Sequence, residues 1–200
     1  MRSDSGHHKA REAIRSTATT LFASKGFAAT STREICQISG VTKPVLYYYF
    51  GSKNQLFKEI VFDAFNEYIK ELDRASSDKG EISQRFRRVL ATIFEFTRVY
   101  PDLARLAFRI VFAPEKKSPV INYIELGEAD ERLLAEMARR AAEDGEIRCE
   151  PQEVASALIG IARFYMISYL LTGQPMLDER LAAGIVDLVM RGCRIHVTDR

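Results

Sequence analysis

Residues 31–53 read STREICQISGVTKPVLYYYFGSK, and this stretch decides the fold. Ser31 stands three residues before Glu34, the S-x-x-E capping box that opens a helix, with Glu34 expected to reach back to the Ser31 N–H. Gly40 breaks that helix about two turns later. Thr42 follows as the next N-cap and puts Lys43 and Pro44 in the first turn of a second short helix, where proline is tolerated because first-turn N–H groups lack an intrahelical acceptor. Gly51 breaks again, and Ser52 with Gln55 forms a further capping box. Two short helices joined by a glycine turn make a helix-turn-helix.

Spacing predicts what each helix hides. A helix advances about 100° per residue, so Tyr47, Tyr48 and Tyr49 fan over about 200° and cannot share one core. Leu46 and Phe50, four apart, form the inward stripe of the second helix. Ile35 and Ile38 are expected to face inward from the first, with Val41 packing after the turn. Cys36 and Ser39 read as small residues that let two short helices cross closely. The opposite surface then carries Lys43, Pro44, Tyr47 and Tyr48, flanked by Val45 and Tyr49. A tyrosine O–H can donate to a phosphate and its ring can pack on sugar or base. Lys43 lies at the helix end that reaches base edges in a major groove, and Pro44 and Val45 suit a thymine methyl. Lys53 suits a backbone phosphate, and the helix N-termini at Thr32 and Thr42 aim N–H groups at phosphates.

Charge agrees with this reading. The chain of 200 residues has a formal net charge of +2, yet residues 1–53 hold eight Lys or Arg against three acids, a net of +5. A basic N-terminal quarter on an acidic remainder points to a polyanion-binding module joined to something else.

The rest is helical in pattern. Residues 9–25 space Ile14, Ala18, Leu21 and Phe22 as a first helix, closed by Gly26. A long helix follows Ser52 to about Asp73, and ASSDKGE (75–81) is a linker. Further helices are predicted over 82–99, from Pro101, over 120–143, from Pro151, and from Asp178 to the end. No stretch alternates with period two, so the expected class is all-α, with about nine helices and a domain boundary near residue 53. No apolar run approaches a membrane span and no secretory leader is evident, which fits a cytoplasmic protein. Cys36, Cys149 and Cys193 are far apart and odd in number, suggesting neither a disulfide framework nor a zinc site. The histidines, His7, His8 and His196, lie near the ends. No metal-ligand spacing, phosphate loop or catalytic pair is present, so neither an enzyme nor a cofactor is expected.

Residues 10–57, from AREAIR to SKNQLF, strongly resemble the TetR family of bacterial transcriptional regulators. The carrying elements are LF…GF in the first helix, R-E-I, the small-x-x-small-G-V turn, and T-K-x-x-L-Y-x-Y-F-x-S-K-x-x-L. Cys36 and Ser39 replace an alanine common in the second helix, and Pro44 a common glycine. The resemblance implies a homodimer binding a palindromic operator, usually as a repressor, released when a small, largely apolar ligand enters the helical body. It implies DNA contacts from Thr32, Arg33, Thr42, Lys43, Pro44, Val45, Tyr47, Tyr48, Tyr49 and Lys53, with Arg33 the guanine reader outside the second short helix. A two-fold dimer would hold its reading helices about 34 Å apart.

In the body, Ala155–Leu171 is apolar nearly all round, and Leu181, Ile185, Leu188 and Val189 make a stripe on the last helix. These two helices are the candidate dimer face. Candidate ligand contacts are Phe94, Phe108, Phe112, Tyr123, Phe164 and Tyr169, with Arg109 and Arg163 as polar groups in apolar context. Each arginine must snorkel, pair with an acid or meet a ligand. The competing reading is a helical ligand-binding or interaction protein that does not read DNA sequence; the +5 N-terminal quarter argues against it.

Overall fold

The computed structural model describes residues 3–77, 79–115, 119 and 123–193, the side chains of 3–7 and 123–127 excepted. Among them the chain forms nine helices and no strand: α1 (Ser3–Ala29), α2 (Thr32–Ser39), α3 (Lys43–Phe50), α4 (Lys53–Ser76), α5 (Ile82–Val99), α6 (Pro101–Phe112), α7 (Tyr123–Glu143), α8 (Pro151–Thr172) and α9 (Glu179–Cys193). Most ends fall where local chemistry predicts them. Gly40 takes the left-handed conformation that terminates α2 (φ 71°), and Asp178 accepts from the Leu181 N–H at 2.9 Å to open α9.

The chain divides into two compact units, residues 1–66 with 102–126, and 67–101 with 127–200. The division differs from the expected boundary near residue 53. The first unit needs more chain to close its core: Leu56, Phe57 and Ile60 of α4 and Leu106 and Ile110 of α6 pack with Ile14, Phe22, Ile35, Leu46 and Phe50. Three rings, Phe22, Phe27 and Phe57, sit 5.0 to 5.7 Å apart at its centre.

Two local expectations are corrected here. Ile38 is 60% exposed, because the inward face of α2 is centred on Ile35 and Cys36. Glu34 does not close the capping box; Ser31 accepts from the Glu34 N–H, but the Glu34 carboxylate pairs with the Lys25 ammonium, a stronger donor than a backbone amide. Gly26 leaves helical geometry (φ 87°, ψ 172°) and ends the first stretch of α1 as expected, with a short second helical segment running on to Ala29.

In the second unit, α5, α8 and α9 pack on one another. On α5, Phe86, Val89, Leu90, Ile93, Phe94 and Thr97, at helical spacing, are buried. The apolar face of α9 splits in two. Ala182, Ile185, Val186, Met190 and Cys193 turn inward, and Leu188 is 64% exposed. By length and hydropathy α8 does reach the range of a membrane span, contrary to the sequence expectation; it also buries Val154, Ala155, Leu158, Ile159, Ala162 and Met166 within the unit. Cys149 and Cys193 form a disulfide, with Cα atoms 5.1 Å apart, correcting the expectation of three unpaired thiols. Forty-four residues separate them, so the pairing has no local signature.

Candidate nucleic-acid interface

The surface of α2 and α3 is built by what those helices bury. Leu46 is fully buried and Phe50 is 4% exposed, so the other side of α3 faces outward. There Tyr48 is 76% exposed and Tyr47 is 46% exposed, with Lys43 and Pro44 exposed at the N-terminal end. Val45 and Tyr49 are half-buried against the core, and the Tyr48 and Tyr49 rings meet edge to face at 5.1 Å. The three tyrosines thus grade from open to half-buried around one helix. Thr42 caps α3 in extended conformation, yet its side chain makes no capping hydrogen bond. The first-turn amides of α3 are therefore left to other acceptors.

The structure sorts the basic residues into two sets. Arg11 pairs with Glu59 and lies over the Phe50 ring at 5.4 Å; Arg15 pairs with Asp63; Lys25 pairs with Glu34. These tie α1 to α4 and α2. Arg33 and Lys43, on the open surface of α2 and α3, are exposed and carry no ion pair among those between described residues. Much of the positive charge of residues 1–53 is therefore engaged inside the unit, and on the surface of α2 and α3 Arg33 and Lys43 face out. Cys36 is buried beneath them, and its burial pushes the thiol up despite the Lys43 charge.

Lys53 lies deeper than a phosphate contact requires. Its ammonium donates to the Phe27 and Thr30 carbonyls, each at 2.9 Å, and sits 4.0 Å from the Phe27 ring centre. It adds a charged donor to the carbonyls where α1 ends, the Phe27 carbonyl also accepting from the Thr30 N–H at 3.3 Å. Burial pushes its pKa down, with Glu115 opposing. Glu115, which sequence reasoning did not single out, serves the same junction from beyond α6. Its carboxylate accepts from the Phe27 N–H at 3.2 Å and the Ala28 N–H at 2.7 Å, and from Arg109 Nε at 3.3 Å. Glycine suits position 26 for its positive φ, and a Cβ there would push aside the ends of the Glu115 and Arg109 side chains.

The candidate ligand residues divide between the two units. Phe108 and Phe112 stack at 5.8 Å on α6, Phe112 being 64% exposed; Arg109 is paired with Glu115; the side chain of Tyr123 lies outside the described residues. In the second unit Phe94 is fully buried, Tyr169 is half-buried and Phe164 is 68% exposed. Arg163 donates to Asp130 at 2.7 Å, and the Tyr68 hydroxyl donates to the other Asp130 oxygen at 3.3 Å. Burial pushes the Asp130 carboxyl up and Arg163 holds it back; burial, then the Asp130 charge, raises Tyr68 well above the usual phenol range. Both arginines thus meet acids of their own unit. A separate groove of about 620 Å³ lies among Glu67, Thr92, Phe96, Tyr100 and Leu177 and includes none of the predicted ligand residues.

Comparison with known proteins bears on the same region. The model of bacterial regulatory proteins of the tetR family matches residues 14–60, from α1 through α3 into α4. Over 194 residues the chain is 28% identical to the HTH-type transcriptional regulator YdgC of Bacillus subtilis, covering 92% of each. It is 22% identical to the HTH-type transcriptional repressor KstR2 of Mycolicibacterium smegmatis, covering 91% of this chain and 89% of that one. Among solved structures, the TetR family regulator PfmR of Thermus thermophilus superposes with a TM-score of 0.73 at 23% identity, over 92% of this chain and 96% of that one.

Proposed function

The chain belongs to the TetR family of bacterial regulatory proteins, and from that premise we propose that it binds a two-fold symmetric operator as a homodimer and represses transcription from it. Release follows when a small, largely apolar molecule occupies the helical body. The observation that carries the reading is the open surface of α2 and α3, where Arg33 and Lys43 stand with no ion-pair partner among the described residues beside exposed Tyr47 and Tyr48. Arg33 and Lys43 read base edges, Tyr47 and Tyr48 hold sugar and phosphate, and Thr32, Thr42, Pro44, Val45 and Tyr49 complete the contact. Lys53 supports this surface from behind, by fixing the end of α1.

The dimer reading rests on α8 and α9. Phe164, Ile167 and Leu171 of α8 and Leu188 of α9 are 40% to 79% exposed, an apolar face too continuous for water alone. Gly160 and Gly184 lie on the exposed sides of the same helices, and a Cβ at either would meet nothing within 4 Å. Glycine inside a helix costs about 1 kcal/mol relative to alanine, a cost offset where a second copy approaches closely. Acting on DNA, the protein would work in the bacterial cytoplasm. Binding to the DNA upstream of its own gene tests the proposal: a retarded, salt-sensitive complex with that duplex and none with a scrambled one supports it. Equal binding to both removes operator recognition.

A further inference from the structure

We propose that Cys149 and Cys193 form a reversible dithiol/disulfide site through which peroxide-class oxidants act on this regulator. Their Cα atoms stand 5.1 Å apart, inside the window that lets two cysteines bridge without moving the backbone. Cys149 directly precedes Glu150, the N-cap of α8, and Cys193 is the last residue of α9. The bridge therefore ties the start of one dimer-face helix to the end of the other. Without it, the Arg148 N–H to Cys193 carbonyl hydrogen bond at 3.0 Å still marks the join, and the Cys149 sulfur lies 3.6 Å from the Gly192 carbonyl oxygen.

Two further observations make the pair a sensor site and not a permanent staple. The first rests on the reading as a DNA-binding regulator: a protein working on the chromosome sits where glutathione and thioredoxin keep thiols reduced, and disulfides there are transient and usually redox-sensing. The second is selectivity. Cys36, the remaining cysteine, is buried in the other unit and has no sulfur partner, and burial disfavours its thiolate. Oxidation is thereby directed to the pair.

The step balances with hydrogen peroxide. Cys149 is half-buried and Cys193 is 6% exposed, so Cys149 meets the oxidant first. Its thiolate attacks one peroxide oxygen; the O–O bond breaks, a sulfenic acid forms, and hydroxide leaves to take up the thiol proton as water. The Cys193 thiolate then attacks that sulfur, the S–S bond forms, and a second water leaves. Two thiols are oxidised by two electrons and one peroxide is reduced. Exchange with a small dithiol reverses the step. The bridge orders the last turn of α9 before docking, so the oxidised protein dimerises more tightly.

The test uses the full chain, reduced with dithiothreitol and then treated with hydrogen peroxide. Free thiols should fall from three to one per chain, with a 149–193 cross-link in the peptide map. In glutathione buffers the pair should convert from bridged to free as the mixture passes from oxidised to cytosol-like. The dimer dissociation constant, read by sedimentation, should rise at least fivefold on reduction, and Cys149→Ser and Cys193→Ala should match the reduced form under both conditions. If either variant fails to fold, reduced wild type serves in its place. A pair that stays bridged in cytosol-like glutathione, or never bridges under peroxide, overturns the proposal, as does a dimer constant equal within twofold in both states. Absence of DNA binding in both states would count against the regulator reading, while the thiol and sedimentation results would still decide the redox site.

Discussion

Helices α3 and α8 both expose large apolar or aromatic side chains, and their surroundings give those side chains opposite meanings. On α3, Tyr47 and Tyr48 stand beside Lys43 and near Arg33, cations with no ion pair among the described residues, at a helix N-terminus whose cap residue Thr42 makes no side-chain hydrogen bond. On α8, Phe164, Ile167 and Leu171 stand beside Arg163, whose charge is turned inward to Asp130. A ring among open cations suits a polyanion. A ring among aliphatic groups and bare glycines suits another apolar surface. Exposure alone does not tell these apart; the state of the nearest charge does.

The largest effect is expected where the apolar face is broken. Phe164→Asp buries an unpaired carboxylate in a dimer and should weaken dimerisation by about 3 kcal/mol or more, measured by sedimentation equilibrium. If the variant dimerises like wild type, α8 is not the interface. Asp130→Asn instead removes the nearest charge from Arg163 and leaves it the more distant Glu131 carboxylate at 3.9 Å. Breaking such a buried pair costs about 3–5 kcal/mol, and because Arg163 keeps 25% side-chain exposure, we expect the low end, as a lower midpoint in urea. An unchanged midpoint would mean that solvent already screens the pair.

On the other surface, Lys43→Ala and Arg33→Ala should each lose about 1–3 kcal/mol of operator affinity and relax preference at one base position, read by competition among single-base operator variants. Loss of equal size on every duplex would reassign them to phosphates. Lys53→Ala should act differently again. Its carbonyl hydrogen bonds are charge-assisted, so about 1–2 kcal/mol of stability should go, visible as a lower melting temperature. A pure phosphate ligand would leave stability intact and flatten the salt dependence by about one unit.

What the sequence revealed follows from the range of the interactions involved. Ser31, Gly40, Pro44, Ser52, Pro151 and Asp178 set helix ends through groups within four residues, so those ends were readable. The inward stripe of α3 was readable because Leu46 and Phe50 share one face by geometry. Ile38 was misread because the bearing of α2 depends on where α1 and α3 lie around it. Lys53 finds its acceptors 23 and 26 residues away, Glu115 its amides 87 and 88 away, and Cys149 its partner 44 away. None of these leaves a period or a cap in the sequence. The expected split near residue 53 did not include α6 for the same reason, since Leu106 and Ile110 enter the core of the first unit from far along the chain.

The most direct measurement is selection of duplexes from a random DNA pool by the ligand-free protein, followed by affinity measured across a salt series. The account predicts an inverted repeat whose half-sites lie about one helical turn apart, bound with steep salt dependence and lost in the Lys43→Ala, Arg33→Ala double variant. Recovery of no common sequence, or of one bound equally well by that double variant, would contradict it.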